Sequence, residues 1–294
     1  MSQSETWTVG RLLQWTADYL KTHGSESPRL DAEVLLAHAI GCERIALYAS
    51  FNEEPQESVR TKFREYVKKR AEGVPVAYLV GQREFYSLPF RVTPDVLIPR
   101  PETELLVVTA LDLIRSDFAD RDVSVCDIGT GSGNIAVTIA RHAKRAHVTA
   151  VDLSPAAVEV ARSNAEKHGL ADRITFYQGD LFAAVEPGAR FELVVSNPPY
   201  IGTVERDGLA SEVKDQEPEQ ALFAGPKGTE VIERLLPQAA ERLVPAGHLL
   251  VEISPIIHDA ACELLDAIPD LERLDTIYDL SRYPRILHGR KKEV

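Results

Sequence analysis

The sequence has few cysteines, no long apolar run and no excess of positive charge. Its three cysteines, Cys42, Cys126 and Cys262, are odd in number and far apart among 294 residues, which excludes a disulfide framework or a cysteine zinc site. No stretch approaches the roughly eighteen consecutive apolar residues that a membrane helix needs. Residues 1–8 are polar and acidic, unlike a secretory signal. We therefore expect a cytoplasmic protein without a membrane anchor.

The chain is acidic, and most of its excess negative charge lies after residue 75. The net charge is −12, and residues 1–75 carry 10 Lys/Arg and 11 Asp/Glu, against 23 and 34 in the remainder. A protein that grips many phosphates usually shows the opposite balance. None of the eight histidines has a partner at metal-ligand spacing. We expect no direct nucleic-acid binding and no metal site, and we expect a monomer.

Residues 1–75 have the apolar pattern of a small helical domain. Apolar side chains recur at helical spacing and predict three helices, which begin near Val9, Pro28 and Pro55. Ser27 before Pro28 is typical of a helix N-cap followed by proline in the first turn. No strand-like alternation interrupts these helices, so we assign residues 1–75 to a small helical domain.

Residues 76–98 differ in character and predict a β-hairpin linker. Two short aromatic-rich strands flank a turn at Ser87-Leu88-Pro89. The prolines of Ile98-Pro99-Arg100-Pro101 then favour a stiff extended segment. A helix should open directly afterwards, with Glu102 and Glu104 in its first turn, where the helix dipole favours acidic side chains.

Residues 99–294 alternate short apolar strands with helices. Near-continuous apolar strands between helices indicate an α/β fold with a buried, mostly parallel sheet that is covered on both faces. The predicted strands are 123–128, 147–151, 174–177, 191–196 and 248–253. Leu271–Tyr278 and Arg285–His288 should add a terminal antiparallel hairpin, which gives seven strands in all.

A glycine-rich turn follows the first of these strands. Its spacing is G-x-G-x-G, with Asn134 at the position where the dinucleotide fingerprint G-x-G-x-x-G has its third glycine, so the pattern alone is of moderate specificity. Asp152 ends the second strand, where an acid can accept hydrogen bonds from ribose hydroxyls. Asp180 ends the third, where an adenine amino group can be met. Each feature alone also fits a tight connection or a capping acid, but their order at the carboxyl ends of the strands favours a nucleoside-bearing ligand.

The turn Asn197-Pro198-Pro199-Tyr200 follows the fourth strand. Its two prolines remove two backbone donors, so the turn offers carbonyl acceptors, an Asn side-chain oxygen and a flat Tyr ring. Such a turn is suited to hold a planar NH2 group between two acceptors, with Tyr200 stacked on its plane. Both a glutamine side chain and an adenine carry such a group, and a merely rigid loop is the simpler alternative.

Several stretches resemble one family over nearly the whole chain, most weakly over residues 1–70. They are Glu84-Phe85-Tyr86, Leu97–Glu104, Ser196–Ile201 and Glu217–Leu222. These stretches are similar to the peptide chain release factor glutamine methyltransferases (the PrmC/HemK family). The Asn-Pro-Pro-Tyr motif is shared with DNA adenine methyltransferases, whereas Ile98–Glu104 is much more restricted.

The resemblance implies a Rossmann-like class I methyltransferase domain in residues 99–294, with S-adenosylmethionine as cofactor and release factors as protein substrates. The methyl group would go to the side-chain amide of the glutamine in a Gly-Gly-Gln motif. Asn197, Pro198, Pro199 and Tyr200 would hold that glutamine. The implied cofactor-binding residues are Asp127, Gly129, Thr130, Gly131, Ser132, Gly133, Asp152, Asp180, Leu181 and Asn197.

Two departures from the family pattern affect loop shape. Glu252-Ile253 is followed by Ser254-Pro255 where relatives often have glycine, and Gly202 replaces the usual proline. Arg100 and Glu102 are further candidates for the pocket, although Glu102 is equally explained as a first-turn acid. The alternatives are a glutamine methyltransferase for a ribosomal protein, a DNA or RNA adenine methyltransferase, and a cofactor-binding scaffold without catalysis.

Overall fold

The computed structural model of the chain describes residues 6–293, in two compact units. One unit contains residues 6–81 with Ser211–Gln216, and the other contains Gln82–Ala210 with residues 217–293. The helices are α1 (Val9–Thr22), α2 (Pro28–Ile40), α3 (Ala46–Ala49), α4 (Glu57–Ala71), α5 (Val76–Val80), α6 (Glu104–Asp117), α7 (Asn134–His142), α8 (Pro155–Lys167), α9 (Ser211–Lys214), α10 (Glu219–Leu222), α11 (Glu230–Arg242) and α12 (His258–Asp266). The strands are β1 (Gln82–Phe85), β2 (Leu88–Arg91), β3 (Val123–Ile128), β4 (Ala146–Asp152), β5 (Ile174–Gln178), β6 (Phe191–Ser196), β7 (Ile201–Gly202), β8 (Phe223–Gly225), β9 (Leu243–Glu252), β10 (Leu271–Arg273), β11 (Ile277–Tyr278) and β12 (Pro284–Lys291).

The first unit is helical, and α1, α2 and α4 confirm the three predicted helices. The Thr8 side chain accepts a hydrogen bond from the Arg11 N–H at 3.3 Å and caps α1. Pro28 lies in the first turn of α2, and Gly41 ends that helix in the left-handed conformation. Ser27 occupies the predicted N-cap position, but its side chain makes no capping hydrogen bond. The core of this unit includes Leu13, Leu20, Leu35, Leu36, Leu47 and Phe63.

The second unit is built on one twisted sheet with the strand order β10-β12-β9-β6-β3-β4-β5, and β11 lies beside β12. Strands β3, β4, β5, β6 and β9 are parallel, as predicted. The C-terminal part contains three strands, β10, β11 and β12, where a hairpin of two strands was predicted. Leu271–Tyr278 forms two short strands instead of one, and β12 inserts between β9 and β10 as an antiparallel strand. The main path therefore has seven strands and β11 adds an eighth.

Both faces of this sheet are buried, which explains the near-continuous apolar strands. In β3, Val125 packs into the apolar cluster on one face, whereas Cys126 and Ile128 pack into the cluster on the other. Helices α6, α7 and α8 contribute to the covering layers together with α11 and α12. A parallel sheet that is covered in this way leaves only the ends of its strands for a ligand.

The hairpin of β1 and β2 turns at Tyr86-Ser87 and not at Ser87-Leu88-Pro89. Both turn residues have positive φ angles, 51° and 58°, and Phe85 pairs directly with Leu88. A two-residue turn of this kind usually uses glycine or asparagine, so no residue pattern predicts it at Tyr86-Ser87. Pro89 lies inside β2, and the edge position of this two-stranded ribbon tolerates its missing N–H.

Candidate active site

The glycine-rich turn and the Asn-Pro-Pro-Tyr turn lie side by side at the carboxyl edge of the sheet. They follow β3 and β6, which are parallel neighbours with Ile128 opposite Ser196. The Ser196 hydroxyl donates to the Ile128 carbonyl oxygen at 2.7 Å and ties the two strand ends together. Strand order reverses at this point, since β4 and β5 lie on one side of β3 and β6 lies on the other. Ligands of open α/β sheets bind at such a reversal.

The glycine-rich turn depends on three glycines with positive φ. Gly129, Gly131 and Gly133 have φ angles of 76°, 55° and 78°. A Cβ atom on Gly133 would lie 3.0 Å from the Cβ of Ala161, so this glycine permits close packing of α7 on α8. A Cβ on Gly131 would meet nothing within 4 Å, because this residue faces open space. The turn therefore exposes its backbone to a cavity, as a cofactor cradle requires.

That cavity has a volume of about 290 Å³ and contains most of the predicted site. The predicted residues that line it are Gly129, Thr130, Gly131, Ser132, Asp152, Asp180, Leu181, Asn197, Pro198 and Pro199. Three predicted residues, Asp127, Gly133 and Tyr200, do not line it. The size approaches the lower end of the range for small-molecule sites.

Asp127 lies beneath the glycine-rich turn and supports it from inside the protein. Its side chain is fully buried and accepts a hydrogen bond from the Thr130 hydroxyl at 2.7 Å. Its Oδ1 atom has no hydrogen-bond partner among the described residues. Burial raises the pKa of Asp127 to about 7, against the hydrogen bond from Thr130, and the charge of nearby Asp152 raises it further. The position fits a support for the turn better than the direct cofactor contact that was predicted.

Asp127→Asn should change how stability depends on pH. The pKa is about 7 in the folded chain and about 3.9 when unfolded, so the folded state binds the extra proton between these values. The free energy of unfolding should therefore fall as pH rises from about 4 to 7, by roughly 3–4 kcal/mol from this group. Asparagine does not titrate, so Asp127→Asn should remove this contribution to the pH dependence of the unfolding free energy. Urea denaturation at several pH values measures it.

The control for this prediction is Asp172→Asn, which changes an exposed carboxylate of the same sheet unit. It should leave the slope as in the natural chain. An Asp127→Asn protein whose stability still fell with pH as steeply as the natural chain would contradict the assignment.

Asp152 ends β4 and faces the cavity. Its Oδ2 atom accepts the Gly131 N–H at 2.8 Å and its Oδ1 atom accepts the Ser154 N–H at 2.9 Å. Burial raises its pKa, against the backbone hydrogen bonds. Each carboxylate oxygen still has a second lone pair. The carboxylate is therefore fixed in orientation and can accept hydrogen bonds from two neighbouring hydroxyl groups.

Asp180 and Leu181 line the cavity at the end of β5, and the two contribute differently. The Asp180 carboxylate is about half exposed and forms an ion pair with Arg234 of α11. Leu181 has a φ of 51°, an unusual conformation for a leucine, while its side chain is buried in the core. Strained residues of this kind persist where the surrounding structure holds them, often beside a ligand. The contact between Asp180 and an adenine amino group stays a prediction.

In the Asn-Pro-Pro-Tyr turn, Asn197, Pro198 and Pro199 line the cavity, whereas Tyr200 packs into the core. The Asn197 Nδ2 atom donates to the Thr103 hydroxyl oxygen at 3.1 Å, so its Oδ1 atom remains available as an acceptor. Burial raises the pKa of Tyr200 and the negative charge of Glu252 raises it further, so the Tyr200 hydroxyl stays protonated. Tyr200 does not line the cavity, and its stacking on a substrate stays a prediction.

The segment before α6 contains Arg100, a sequence candidate for the pocket, and Thr103, which sequence patterns did not single out. Arg100 lines the cavity, and its guanidinium pairs at 2.6 Å with buried Glu217. Glu217 also accepts the Ile98 N–H at 3.2 Å, so this carboxylate anchors the proline-rich segment. Thr103 is buried and lines the cavity. Glu102 is exposed and does not line it.

Gly228 supports the Asn-Pro-Pro-Tyr turn from behind, and Gly228→Ala should displace it. Its φ is +85°, and a Cβ there would lie 2.7 Å from the Tyr200 carbonyl oxygen and 3.1 Å from the Gly202 nitrogen. Both obstacles are backbone atoms, so the turn itself must move. We expect a loss of about 1–3 kcal/mol in unfolding free energy, together with reduced activity. Gly188→Ala is the matched control, because a Cβ there meets nothing within 4 Å. Equal stability of the two variants would refute the prediction.

Comparison with known proteins agrees with this geometry. Residues 11–81 match the family described as the PrmC N-terminal domain, and residues 119–256 match a family described as a methyltransferase domain. A release factor glutamine methyltransferase of Rhodopirellula baltica is 50% identical over 291 residues, which cover 99% of this chain and 98% of that protein. The chain belongs to the release factor glutamine methyltransferase family. Another member, from Koribacter versatilis, is 41% identical over 93% of this chain and 95% of its own.

Solved structures show the same fold for the family's catalytic part. A T. thermophilus 16S rRNA methyltransferase, solved with AdoMet and guanosine, has a TM-score of 0.53 at 21% identity and covers 72% of this chain and 50% of its own. A Pyrococcus furiosus methyltransferase has a TM-score of 0.51 at 17% identity, and the match covers 71% of this chain and 91% of that protein. The expected Rossmann-like class I methyltransferase fold is confirmed. Within residues 6–293, no helix is long and apolar enough to cross a membrane.

The structure explains both departures from the family pattern. The Gly202 N–H donates to the Glu205 carboxylate at 2.9 Å, a bond that proline at this position could not make. A Cβ on Gly202 would also lie 2.9 Å from the Pro226 carbonyl oxygen. Ser254 has φ −86° and ψ 156°, an extended conformation that needs no glycine, and Pro255 begins a short 3-10 turn. Neither change touches the cavity.

Proposed function

We propose that this protein transfers a methyl group from S-adenosylmethionine to a release factor, at the side-chain amide nitrogen of the glutamine in its Gly-Gly-Gln motif. One observation carries the proposal. The Asn197-Pro198-Pro199 segment, whose two prolines lack an N–H, and the open glycine-rich turn line the same cavity, at the ends of adjacent strands. The family's relatives over nearly the full length carry the name of this activity.

The residues present fit the proposed cofactor. Gly131 leaves its backbone open to the cavity, and Asp152 presents a carboxylate that two backbone N–H groups hold in place. Asp152 would accept hydrogen bonds from the ribose hydroxyls, and Leu181 beside Asp180 would border the base. When bound, S-adenosylmethionine supplies an electrophilic methyl group on its sulfonium.

The amide nitrogen of glutamine is a poor nucleophile, because its lone pair is delocalised. Asn197 Oδ1 and the Pro198 carbonyl oxygen would each accept one of its N–H groups, since neither proline can donate. These two acceptors orient the nitrogen and offset the positive charge that develops on it. Orientation can supply up to ~7–11 kcal/mol of a barrier, whereas one aimed hydrogen bond supplies roughly 3–4 kcal/mol. Alignment therefore dominates, and water takes the proton afterwards.

The helical residues 1–75 are proposed to recognise the release factor, with residues 76–98 as the linker and 99–294 as the methyltransferase domain. A protein substrate fits the acidic balance of residues 76–294 better than a nucleic acid does. Release factors act on the ribosome, so the proposed activity is a cytoplasmic one.

One experiment distinguishes the substrates that carry a planar NH2 group. Labelled S-adenosylmethionine is supplied with a release factor, ribosomal proteins and DNA in separate reactions, and mass spectrometry maps the methylated atom. We expect label on the release-factor glutamine. Label on a ribosomal-protein glutamine or on adenine alone would overturn the proposal.

A further inference from the structure

Asn164 is a fully buried polar side chain of α8, next to the glycine-rich turn. Its exposed fraction is 0%, and it does not line the cavity. A buried amide group is costly unless hydrogen bonds satisfy it. Asn164 has three such bonds, and all of them go to backbone atoms outside its own helix. Its role therefore depends on the segments that these bonds hold together.

The three hydrogen bonds join the glycine-rich turn to the hairpin strand β2. The Asn164 Nδ2 group donates to the Ser132 carbonyl oxygen at 2.8 Å and to the Arg91 carbonyl oxygen at 3.0 Å. Its Oδ1 atom accepts the Arg91 N–H at 2.7 Å. The orientation of this amide is fixed, because a reversed side chain would place its oxygen against two carbonyl oxygens and its NH2 group against an N–H. One side chain thus holds the backbone of residue 132 against the backbone of residue 91.

The glycine-rich turn needs contacts of this kind to keep its shape. Gly129, Gly131 and Gly133 all have positive φ, and glycine allows the chain many other conformations. On the side of β4, the Gly131 N–H donates to Asp152 at 2.8 Å. On the side of α8, the Ser132 carbonyl oxygen is held by the amide described above. Ser132 lines the cavity, so the position of its backbone affects the shape of the cofactor cradle.

We propose that Asn164 is a positioning residue for S-adenosylmethionine, which keeps the glycine-rich turn in its binding conformation by bonding Ser132 to the hairpin. This inference rests on the proposed function, in which the cofactor binds against this turn. Without the Asn164 amide, the turn would spend part of its time in other conformations. The apparent Kd rises in inverse proportion to the fraction of molecules in the binding conformation, so a fraction of about one tenth gives a Kd about tenfold higher.

The first test compares Asn164→Leu with the natural full-length chain. Leucine has nearly the branched shape of asparagine, but it can form none of the three hydrogen bonds. We expect calorimetry to give a Kd for S-adenosylmethionine that is about tenfold higher. At saturating cofactor, kcat and the KM for the release factor should stay within about threefold, because the bound cofactor selects the binding conformation. A general loss of folded protein would lower kcat and leave Kd unchanged.

Two control variants separate this effect from weaker hairpin attachment and from lower stability. Lys167→Met removes the hydrogen bond from the Lys167 amine to the Pro89 carbonyl oxygen at 3.1 Å, which joins α8 to the hairpin without contacting the turn. Leu170→Ala removes a buried side chain of the sheet core just after α8 and lowers stability. Both should keep the natural Kd. A Kd within about twofold of the natural value in Asn164→Leu, or a tenfold rise in either control, would overturn the inference.

A measurement on the natural chain decides the question if Asn164→Leu does not fold, which thermal melting will show. The Arg91 N–H donates to Asn164, so its hydrogen exchange reports the opening of this contact. Saturating S-adenosylmethionine should slow that exchange by at least about threefold, because a ligand that needs the closed turn opposes its opening. The Leu271 N–H at the far edge of the sheet, bonded to the Ile268 carbonyl oxygen at 3.1 Å, is the reference and should change less.

Exchange at Arg91 that the cofactor leaves unchanged, or slows no more than at Leu271, would contradict the inference. The proposed function fails separately, when the natural chain binds S-adenosylmethionine but does not methylate the release factor.

Discussion

Replacing Asn197 with alanine should lower methyl transfer by about 10³-fold, while cofactor binding remains measurable. Its Oδ1 atom is the side-chain acceptor that remains available at the cavity, because Nδ2 is bonded to Thr103. Loss of one aimed hydrogen-bonding group costs about 10²–10³ in kcat, and loss of alignment adds to it. Labelled methyl transfer to release factor gives kcat, and calorimetry with S-adenosylmethionine gives Kd.

Asn52→Ala serves as the control for this variant, because Asn52 is exposed in the helical unit. It should transfer methyl groups at the natural rate. Near-normal turnover in Asn197→Ala would sink the proposal that this side chain holds the substrate. Loss of cofactor binding along with turnover would assign Asn197 to the cradle instead.

Asp152→Asn should weaken S-adenosylmethionine binding by about 100-fold. A hydrogen bond to a charged group is worth about 1.5–3 kcal/mol, and the variant loses the charge and one of two acceptor oxygens. It also places an NH2 group beside the Gly131 or Ser154 N–H, which now donate to the carboxylate. Calorimetric titration measures Kd directly, and kcat at saturating cofactor should change far less.

The control is Asp172→Asn, an exposed acid of the same unit. It should bind the cofactor as the natural chain does. An unchanged Kd in Asp152→Asn would remove Asp152 from the cofactor site, whatever the effect on turnover.

Local patterns predicted the elements that position the site. Apolar strands that end in glycines, in Asp152 and in Asn197 specified which residues meet at the carboxyl edge, because all parallel strands end there. The helices α1, α2 and α4 of the first unit could equally be predicted from the spacing of apolar residues. Each of these sequence patterns lies within a few residues of the helix, strand end or turn that it predicts.

The residues that sequence reasoning missed depend on long-range placement. Thr103 contacts Asn197 only because the segment before α6 lies beside the end of β6. Nothing in the sequence around Thr103 indicates that contact. Tyr200 follows Asn197 in the motif, and no local pattern shows that its side chain packs against the core instead of lining the cavity.

The hairpin and the C-terminal strands show a second limit. Tyr86 and Ser87 adopt positive φ without being glycine, so the turn was placed one residue late. The split of residues 271–278 follows from the insertion of β12 between β9 and β10, which a hydrophobic pattern does not encode. Register and strand order are properties of the whole sheet.

The two prolines of the turn have a consequence for how far the reaction goes. In the proposed arrangement, Asn197 and the carbonyl of Pro198 would hold a nitrogen by its two N–H groups, and Pro198 and Pro199 have no N–H to donate. An amide that already carries one methyl group has a single N–H left, so one acceptor would lose its partner and face a methyl group instead. The turn should therefore bind an unmethylated glutamine amide better than a methylated one. We expect the enzyme to stop after a single methyl group.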